Sequence, residues 1–252
     1  MNNYRLIVPA AGKGSRLNTE IPKIFTLINE KETIYDRILQ ESEKIFGNIT
    51  LILSPDGEKY LQEKGHKLPS NVEIRIQEHP TGMFDALDLA IDDGAIDAHH
   101  KKICIQWGDQ PFIDGRIYKK MFNELDHFDA AIPLVWVQDP YVQFKFLNQE
   151  LTIFESREGD QCDLFGFKDM GLFAFDEKKL IQTWRFYKGI DQYGRKTGEK
   201  SFLKLLPHFL KLNSISWIID QPTYKALGIN TKNELMEAKF LLDQINQMKS
   251  RS

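Results

Sequence analysis

The sequence predicts an α/β fold of three layers, with helices on both faces of a mainly parallel mixed sheet. Two observations carry this. In the first half, short apolar runs alternate with amphipathic stretches of helical period, the pattern of strand–helix–strand units and hence of a parallel sheet. The opening run, Leu6-Ile7-Val8, stops abruptly in Pro9-Ala10-Ala11-Gly12, as a buried strand does when it feeds a tight loop. In such sheets ligands gather at the carboxyl ends of the strands, so residues just beyond those ends are the first candidates for a site.

Strands are predicted at residues 5–9, 50–54, 72–77 and 103–107, then at 130–137, 151–154, 171–175 and 214–219. The later strands lie closer together, as in a mixed sheet. Helices are predicted at 33–46, 84–92 and 117–125. A last helix starts after Thr231, where Thr231-Lys232-Asn233-Glu234 has the pattern of a capping box. Its apolar stripe, Leu235, Ala238, Leu241, Leu242 and Ile245, is read as a core face. Residues 249–252 are expected to fray, and the sequence contains no internal repeat or low-complexity tract.

Composition narrows the function classes. The 252 residues can bury a large core. A net charge of −3 argues against a nucleic-acid binder that works through a basic surface, so any phosphate-binding charge must be local. Cys104 and Cys162 are too few for a disulfide scaffold or a zinc cluster, and Cys104, between Ile103 and Ile105, reads as a core thiol. No apolar stretch approaches the ~20 residues of a membrane helix, and the N-terminus lacks a signal-peptide pattern. A cytoplasmic protein is expected.

The chemistry concentrates after the first strand. Gly12 and Gly14 let backbone N–H groups approach a phosphate, and Lys13, Arg16 and Lys23 place three cations within eleven residues. That combination calls for a polyanion, and a nucleoside triphosphate fits it. A dinucleotide fingerprint is matched only at its first two glycines, because Leu17 stands at the third, and no Walker loop is present. The order Ala10-Ala11-Gly12-Lys13-Gly14-Ser15-Arg16, followed by Pro22-Lys23, resembles the signature of nucleotidyltransferases that activate phosphorylated metabolites, the sugar-1-phosphate pyrophosphorylases and the cytidylyltransferases. The resemblance implies a Rossmann-like α/β/α fold of the nucleotide-diphospho-sugar transferase type in a single domain. Residues 1–112 would form its nucleotide- and metal-binding half, 113–230 its acceptor-binding half and 231–248 a C-terminal helix. It also implies that the repeat-built acyltransferase domain attached to some uridylyltransferases is absent.

Further along, Gly108-Asp109-Gln110-Pro111 sets a carboxylate beside a glycine just past a strand end, where a hard-oxygen ligand suits Mg²⁺. The same family shows Gly-Asp-x-Pro there, and Gly228-Ile229-Asn230 resembles its second metal motif. By resemblance, Asp109 and Asn230 hold Mg²⁺. Ala10, Ala11, Gly12, Lys13, Gly14, Gln77, Thr81 and Gly82 would bind the nucleotide, with Gln77 reading a pyrimidine base. Phe84 and Asp85 depart from the family's small residue and His. An amide in either orientation can serve uracil or cytosine, whereas Pro9, where many uridylyltransferases have Leu, favours CTP.

In the second half, Phe154-Glu155-Ser156-Arg157 resembles the family's Val-Glu-x-Lys, and Asp169-Met170-Gly171 stands where sugar enzymes have Asn-x-Gly. This implies an acceptor site of Glu155, Arg157 and Asp169. The implied reaction couples CTP or UTP to a phosphorylated small molecule with release of pyrophosphate, for cell-surface polysaccharide or related biosynthesis. Lys23, Arg16 and Asp109 are its catalytic candidates. No nucleic acid or membrane partner is expected, and a homodimer is left open. Two rivals stay open: a glycosyltransferase, although Gly108-Asp109-Gln110 lacks the first acid of Asp-x-Asp, and a nucleotide-sensing module. The charged, glycine-bearing stretch 187–200 and Asp85 point away from a standard hexose phosphate.

Overall fold

The computed structural model describes residues 4–12, 14–19, 21–65, 68–79, 81–91, 102–148, 150–220 and 222–251. Ten strands form one sheet: β1 (Tyr4–Pro9), β2 (Asn48–Leu53), β3 (Val72–Ile76), β4 (Lys102–Gln106), β5 (Ala130–Gln138), β6 (Val142–Leu147), β7 (Glu150–Glu155), β8 (Phe165–Asp169), β9 (Leu172–Asp176) and β10 (Ile215–Ile219). The order is β3-β2-β1-β4-β9-β5-β8-β6-β7, with β10 on the other edge of β5. β1 through β4 pair in parallel and so does β10 with β5, while β4–β9, β5–β9, β5–β8, β6–β8 and β6–β7 are antiparallel. Following those senses across the sheet, the described β1 to β6 and β10 run one way and β7, β8 and β9 the other.

The helices among the described residues are α1 (Ile34–Ser42), α2 (Pro55–Glu63), α3 (Met83–Ile91), α4 (Gly115–Glu124), α5 (Glu177–Lys188), α6 (Leu205–Leu212) and α7 (Lys232–Arg251). The alternation of a strand sorts them into two outer layers. Leu6 and Val8 face a core shared with Ile34 and Ile38 of α1, Ile117 and Met121 of α4, and Ala238 and Leu242 of α7. Ile7, between them, faces the opposite core with Phe84 and Leu87 of α3, Leu180 and Trp184 of α5, and Phe209 of α6. This is the three-layer α/β/α fold expected from the sequence.

Several elements lie where sequence reading gave none. α2 begins at Ser54-Pro55, with the Ser54 hydroxyl accepting from Gly57 N–H at 3.1 Å and proline at the first helical position. α5 buries Leu180, Thr183, Trp184 and Tyr187 at helical spacing, but intervening charges mask the stripe. β6 and β8 are short strands that carry exposed Phe146, Leu147 and Phe165 at their ends, so their alternation is blurred. The helix predicted over 33–46 ends at Ser42, whose hydroxyl bonds back to the Ile38 carbonyl at 2.7 Å. Thr231 and Glu234 do form the reciprocal cap of α7, at 3.3 and 2.7 Å. Cys104 is a fully buried core thiol. Among the described residues, no helix is long and apolar enough to cross a membrane.

One core acid carries a pH signature. Glu177, in the first turn of α5, is buried with one carboxylate oxygen unpartnered, and burial raises its pKa from 4.5 to about 7. Between those values the folded protein holds a proton that the unfolded chain has released, so this group costs stability as pH rises from 4.5 through 7. Glu177→Gln should stabilise the fold by on the order of 1–2 kcal/mol at pH 8 and by little at pH 4.5, read from urea unfolding at both pH values.

Candidate active site

The site begins where β1 and β4 end side by side. Beyond β1, Ala10 N–H continues the pairing with β2 by donating to the Ile52 carbonyl at 2.8 Å. Gly108 allows the close approach of the two strand ends: a Cβ there would lie 2.8 Å from Ala10 Cβ and 3.0 Å from the Pro9 carbonyl oxygen. The chain then turns through Gly14, and Leu17 N–H bonds to the Gly14 carbonyl at 2.8 Å around the 3₁₀ turn Ser15–Leu17. Leu17 is fully buried, so the residue at the third fingerprint position anchors the loop in the core rather than opening a helix for a dinucleotide. A second 3₁₀ turn, Lys23–Phe25, follows Pro22, with Ile24 and Phe25 buried beneath it. Arg16 and Lys23 thus sit on two short turns with apolar anchors. Lys13 lies outside the described residues.

These turns bring the sequence-predicted residues together from opposite ends of the chain. The Lys23 ammonium donates to Asp109 Oδ2 at 2.8 Å and to Asn230 Oδ1 at 3.0 Å, and Arg16 Nη2 donates to the same Asn230 oxygen at 3.4 Å. Ile229 N–H bonds to the Asp109 carbonyl at 2.9 Å, which ties the segment before α7 to the β4 turn. Asn230 N–H donates to Glu234 Oε2 at 2.8 Å, so the α7 cap also holds Asn230 in place.

Asp109 Oδ1 is buried and has no hydrogen-bond partner. A buried carboxylate oxygen left free beside a second hard oxygen, Asn230 Oδ1, fits a divalent cation. Among the described residues no group of three or more His, Cys, Asp and Glu is placed to hold a metal. One carboxylate and one amide oxygen suit a cation that takes its remaining ligands from water and phosphate, as Mg²⁺ does.

Two clefts open at these strand ends, one of which holds the cluster. One, of about 680 Å³, is lined by Ala11, Gly12, Ser54, Lys59, Gln77 and His79. Its floor holds Gln77, whose Nε2 donates to the Gly82 carbonyl at 3.1 Å and to Thr81 Oγ1 at 3.4 Å. A carbonyl can only accept, so the amide NH₂ faces Gly82 and the amide oxygen is left to accept from a ligand. Gly82 has φ +119°, a conformation suited to glycine. Phe84, where the family has a small residue, is a core residue stacked on Trp184 at 4.1 Å, which accounts for that departure. Asp85 is exposed.

The other cleft, of about 340 Å³, contains Arg16, Lys23, Asp109 and Asn230 together with Glu155, Arg157 and Asp169. Glu155 ends β7, is 1% exposed, and has Oε1 unpartnered. Arg157 Nε donates to Glu155 Oε2 at 3.3 Å, and its Nη1 donates to Glu199 Oε2 at 3.4 Å. Asp169 accepts from Gly171 N–H at 2.8 Å, and burial raises its pKa, with Asp109 adding to the effect. Lys168, Trp107 and Ser201 also line this cleft and were missed by sequence reading. Lys168 lies on β8, which antiparallel pairing with β5 brings round, and Trp107 follows β4 two residues before Asp109. No local motif marks them.

The sequence matches the family profile described as the MobA-like NTP transferase domain over residues 6–206. It is 24% identical over 250 residues, 96% of this chain and 52% of the relative, to the bifunctional protein GlmU of Buchnera aphidicola subsp. Acyrthosiphon pisum. It is 26% identical over 141 residues, 54% of this chain and 59% of the relative, to a 2-C-methyl-D-erythritol 4-phosphate cytidylyltransferase of Bacillus thuringiensis. The chain thus spans about half the length of the curated relatives it matches. Its fold is shared with the crystal structure of a 4-diphosphocytidyl-2C-methyl-D-erythritol synthase from Anaerococcus prevotii, at a TM-score of 0.69 and 15% identity, covering 96% of this chain and 99% of that one. The match over most of its length, on the turns that carry Arg16, Lys23 and Asp109, makes this chain a member of the MobA-like NTP transferase domain family.

Proposed function

We propose that the protein is a Mg²⁺-dependent nucleotidyltransferase that joins a pyrimidine nucleoside triphosphate, preferentially CTP, to a phosphorylated small-molecule acceptor. The observation that carries this is the Lys23–Asp109–Asn230–Arg16 cluster, which shares one cleft with Glu155, Arg157 and Asp169. Residues 1–112 supply the nucleotide and metal half and 113–230 most of the acceptor half. The Gln77 oxygen, freed by the bond from its amide to Gly82, favours a base that presents an exocyclic amino donor, as cytosine does. That two of the similar proteins are named for cytidylyl chemistry supports the same choice.

The acceptor already carries its nucleophile, a phosphate dianion, and needs no general base. Its oxygen forms a bond to the α-phosphorus while the bond to the β-phosphate bridging oxygen breaks, and that electron pair leaves with pyrophosphate. Arg16 and the loop amides hold the triphosphate, and Lys23 turns from Asp109 towards the α-phosphate to balance the developing charge. Arg157 draws the acceptor phosphate into the second cleft. Asp109 and Asn230 would hold Mg²⁺, which polarises phosphate oxygens when bound.

A matrix of four nucleoside triphosphates against a panel of phosphorylated metabolites, read by pyrophosphate release, tests this. CTP should give the highest turnover with at least one acceptor. Absence of turnover with either CTP or UTP sinks the pyrimidine assignment. Release of nucleoside diphosphate from a nucleotide-sugar donor would favour a glycosyltransferase instead.

A further inference from the structure

The stretch 189–200, which the proposed chemistry leaves without a role, forms a strap beside the second cleft, where Gln192 to Arg195 line a smaller cleft with Glu155 and Glu158. Buried Glu158 anchors it: Oε2 accepts from the N–H groups of Lys196 and Thr197 at 2.9 and 3.3 Å, and Oε1 accepts from the Thr197 hydroxyl at 2.6 Å. Lys200 fixes the far end, its ammonium donating to the carbonyls of Lys188 and Ile190 at 2.9 and 2.6 Å. The same ammonium lies 5.3 Å from the centre of the Phe84 ring and 5.0 Å from that of Tyr187. Between these anchors the strap presents Glu199, and this side chain touches both halves of the site. Its Cβ, Cγ and Cδ lie 3.1–3.2 Å from where a Cβ on Gly82 would stand. Its carboxylate accepts from Arg157 Nη1 at 3.4 Å.

We infer that Glu199 is a positioning residue that links base selection to the acceptor side. The path is short and continuous. Arg157 holds the Glu199 carboxylate, the Glu199 stem packs on Gly82, and the Gly82 carbonyl fixes which face of the Gln77 amide meets the base. The inference rests on the proposed roles of Gln77 and Arg157. Glu199 is a third exposed and belongs to neither core cluster, so its truncation removes a contact rather than a piece of the interior. Because coupling between sites is reciprocal, an acceptor-side substitution must be felt at the nucleotide.

The test is a double-mutant cycle on nucleotide affinity, measured by calorimetry with CTP and with UTP in the presence of Mg²⁺. Glu199→Ala and Arg157→Met are each expected to weaken CTP binding about fivefold, and the double variant to be no more than twofold weaker than either alone. UTP affinity should change less than twofold, so the preference for CTP narrows, a result that a general loosening of the fold does not give. Glu199→Gln keeps the packing on Gly82 and an oxygen that accepts from Arg157, so it should preserve CTP preference and leave the effect of Arg157→Met in place. It carries the test if the alanine variant fails to fold. Unchanged CTP affinity in Arg157→Met, multiplicative effects in the double variant, or equal weakening of CTP and UTP overturns the link. If wild-type protein binds neither nucleotide, it is the proposed function that fails.

Discussion

Lys23→Ala should lower kcat about 10²–10³-fold, a loss of roughly 3–4 kcal/mol of transition-state stabilisation, while nucleotide affinity changes less than about tenfold. The split follows from where Lys23 stands. In the free protein its ammonium is engaged by Asp109 and Asn230 at 2.8 and 3.0 Å, so much of its charge is already balanced before nucleotide arrives. Its gain comes when negative charge builds on the α-phosphate and the leaving pyrophosphate, a difference that ground-state binding does not register. Lys23→Arg should not rescue, because a planar guanidinium cannot replace a compact ammonium between two oxygens on a fixed turn. The variant has a second readout. Removing the ammonium frees both oxygens, so Mn²⁺, used as a spectroscopic substitute for Mg²⁺, should bind the nucleotide-free protein more tightly than it binds wild type. Single-turnover kinetics with calorimetric CTP binding checks the first effect; unchanged turnover sinks the assignment of Lys23.

Asp109→Asn should cost about 10³-fold in kcat and leave the fold intact. The exchange keeps the shape of the side chain, and the Ile229 N–H to Asp109 carbonyl bond at 2.9 Å involves only backbone. What disappears is the single carboxylate in the Lys23–Asp109–Asn230–Arg16 cluster, whose Oδ1 is buried without a partner. A loss of several kcal/mol of metal-derived charge stabilisation corresponds to three orders of magnitude in rate. Thermal stability should fall little, because substitution also removes the cost of that unpartnered buried oxygen. The measurement is kcat as a function of Mg²⁺ concentration beside a melting curve. Activity near wild type at saturating Mg²⁺ would move the metal site elsewhere.

The legible parts of this protein were those written in short, contiguous patterns. The strand-to-loop transition at Val8–Gly12, the strand-end carboxylate at Asp109 and the Thr231–Glu234 cap each depend on residues within four positions of one another, and each lies where sequence reading put it. The three-layer architecture was legible too, because a parallel sheet with helices on both sides leaves a strong alternation of periods. What stayed hidden depends on long-range pairing. Lys168 reaches the second cleft only because β8 lies antiparallel beside β5, and no local pattern encodes that register. The short strands β6 and β8 were missed because their ends carry exposed Phe146 and Phe165 in place of a clean polar alternation. The orientation of Gln77 was open in the sequence, and the Gly82 carbonyl closes it. Glu199 had no motif at all. Its position follows from the anchoring of a loop on Glu158, forty residues away in the chain.

The central claim is that one phosphate oxygen attacks the α-phosphorus of a nucleoside triphosphate held by Lys23, Arg16 and Asp109. It is tested most directly by the fate of label from CTP carrying ³²P at the α or the γ position, followed with the acceptor that supports turnover. The account predicts α label in a pyrophosphate-linked CDP product and γ label in pyrophosphate, both abolished together in Asp109→Asn. Transfer of γ label to the acceptor, or recovery of α label as free CDP, would contradict it.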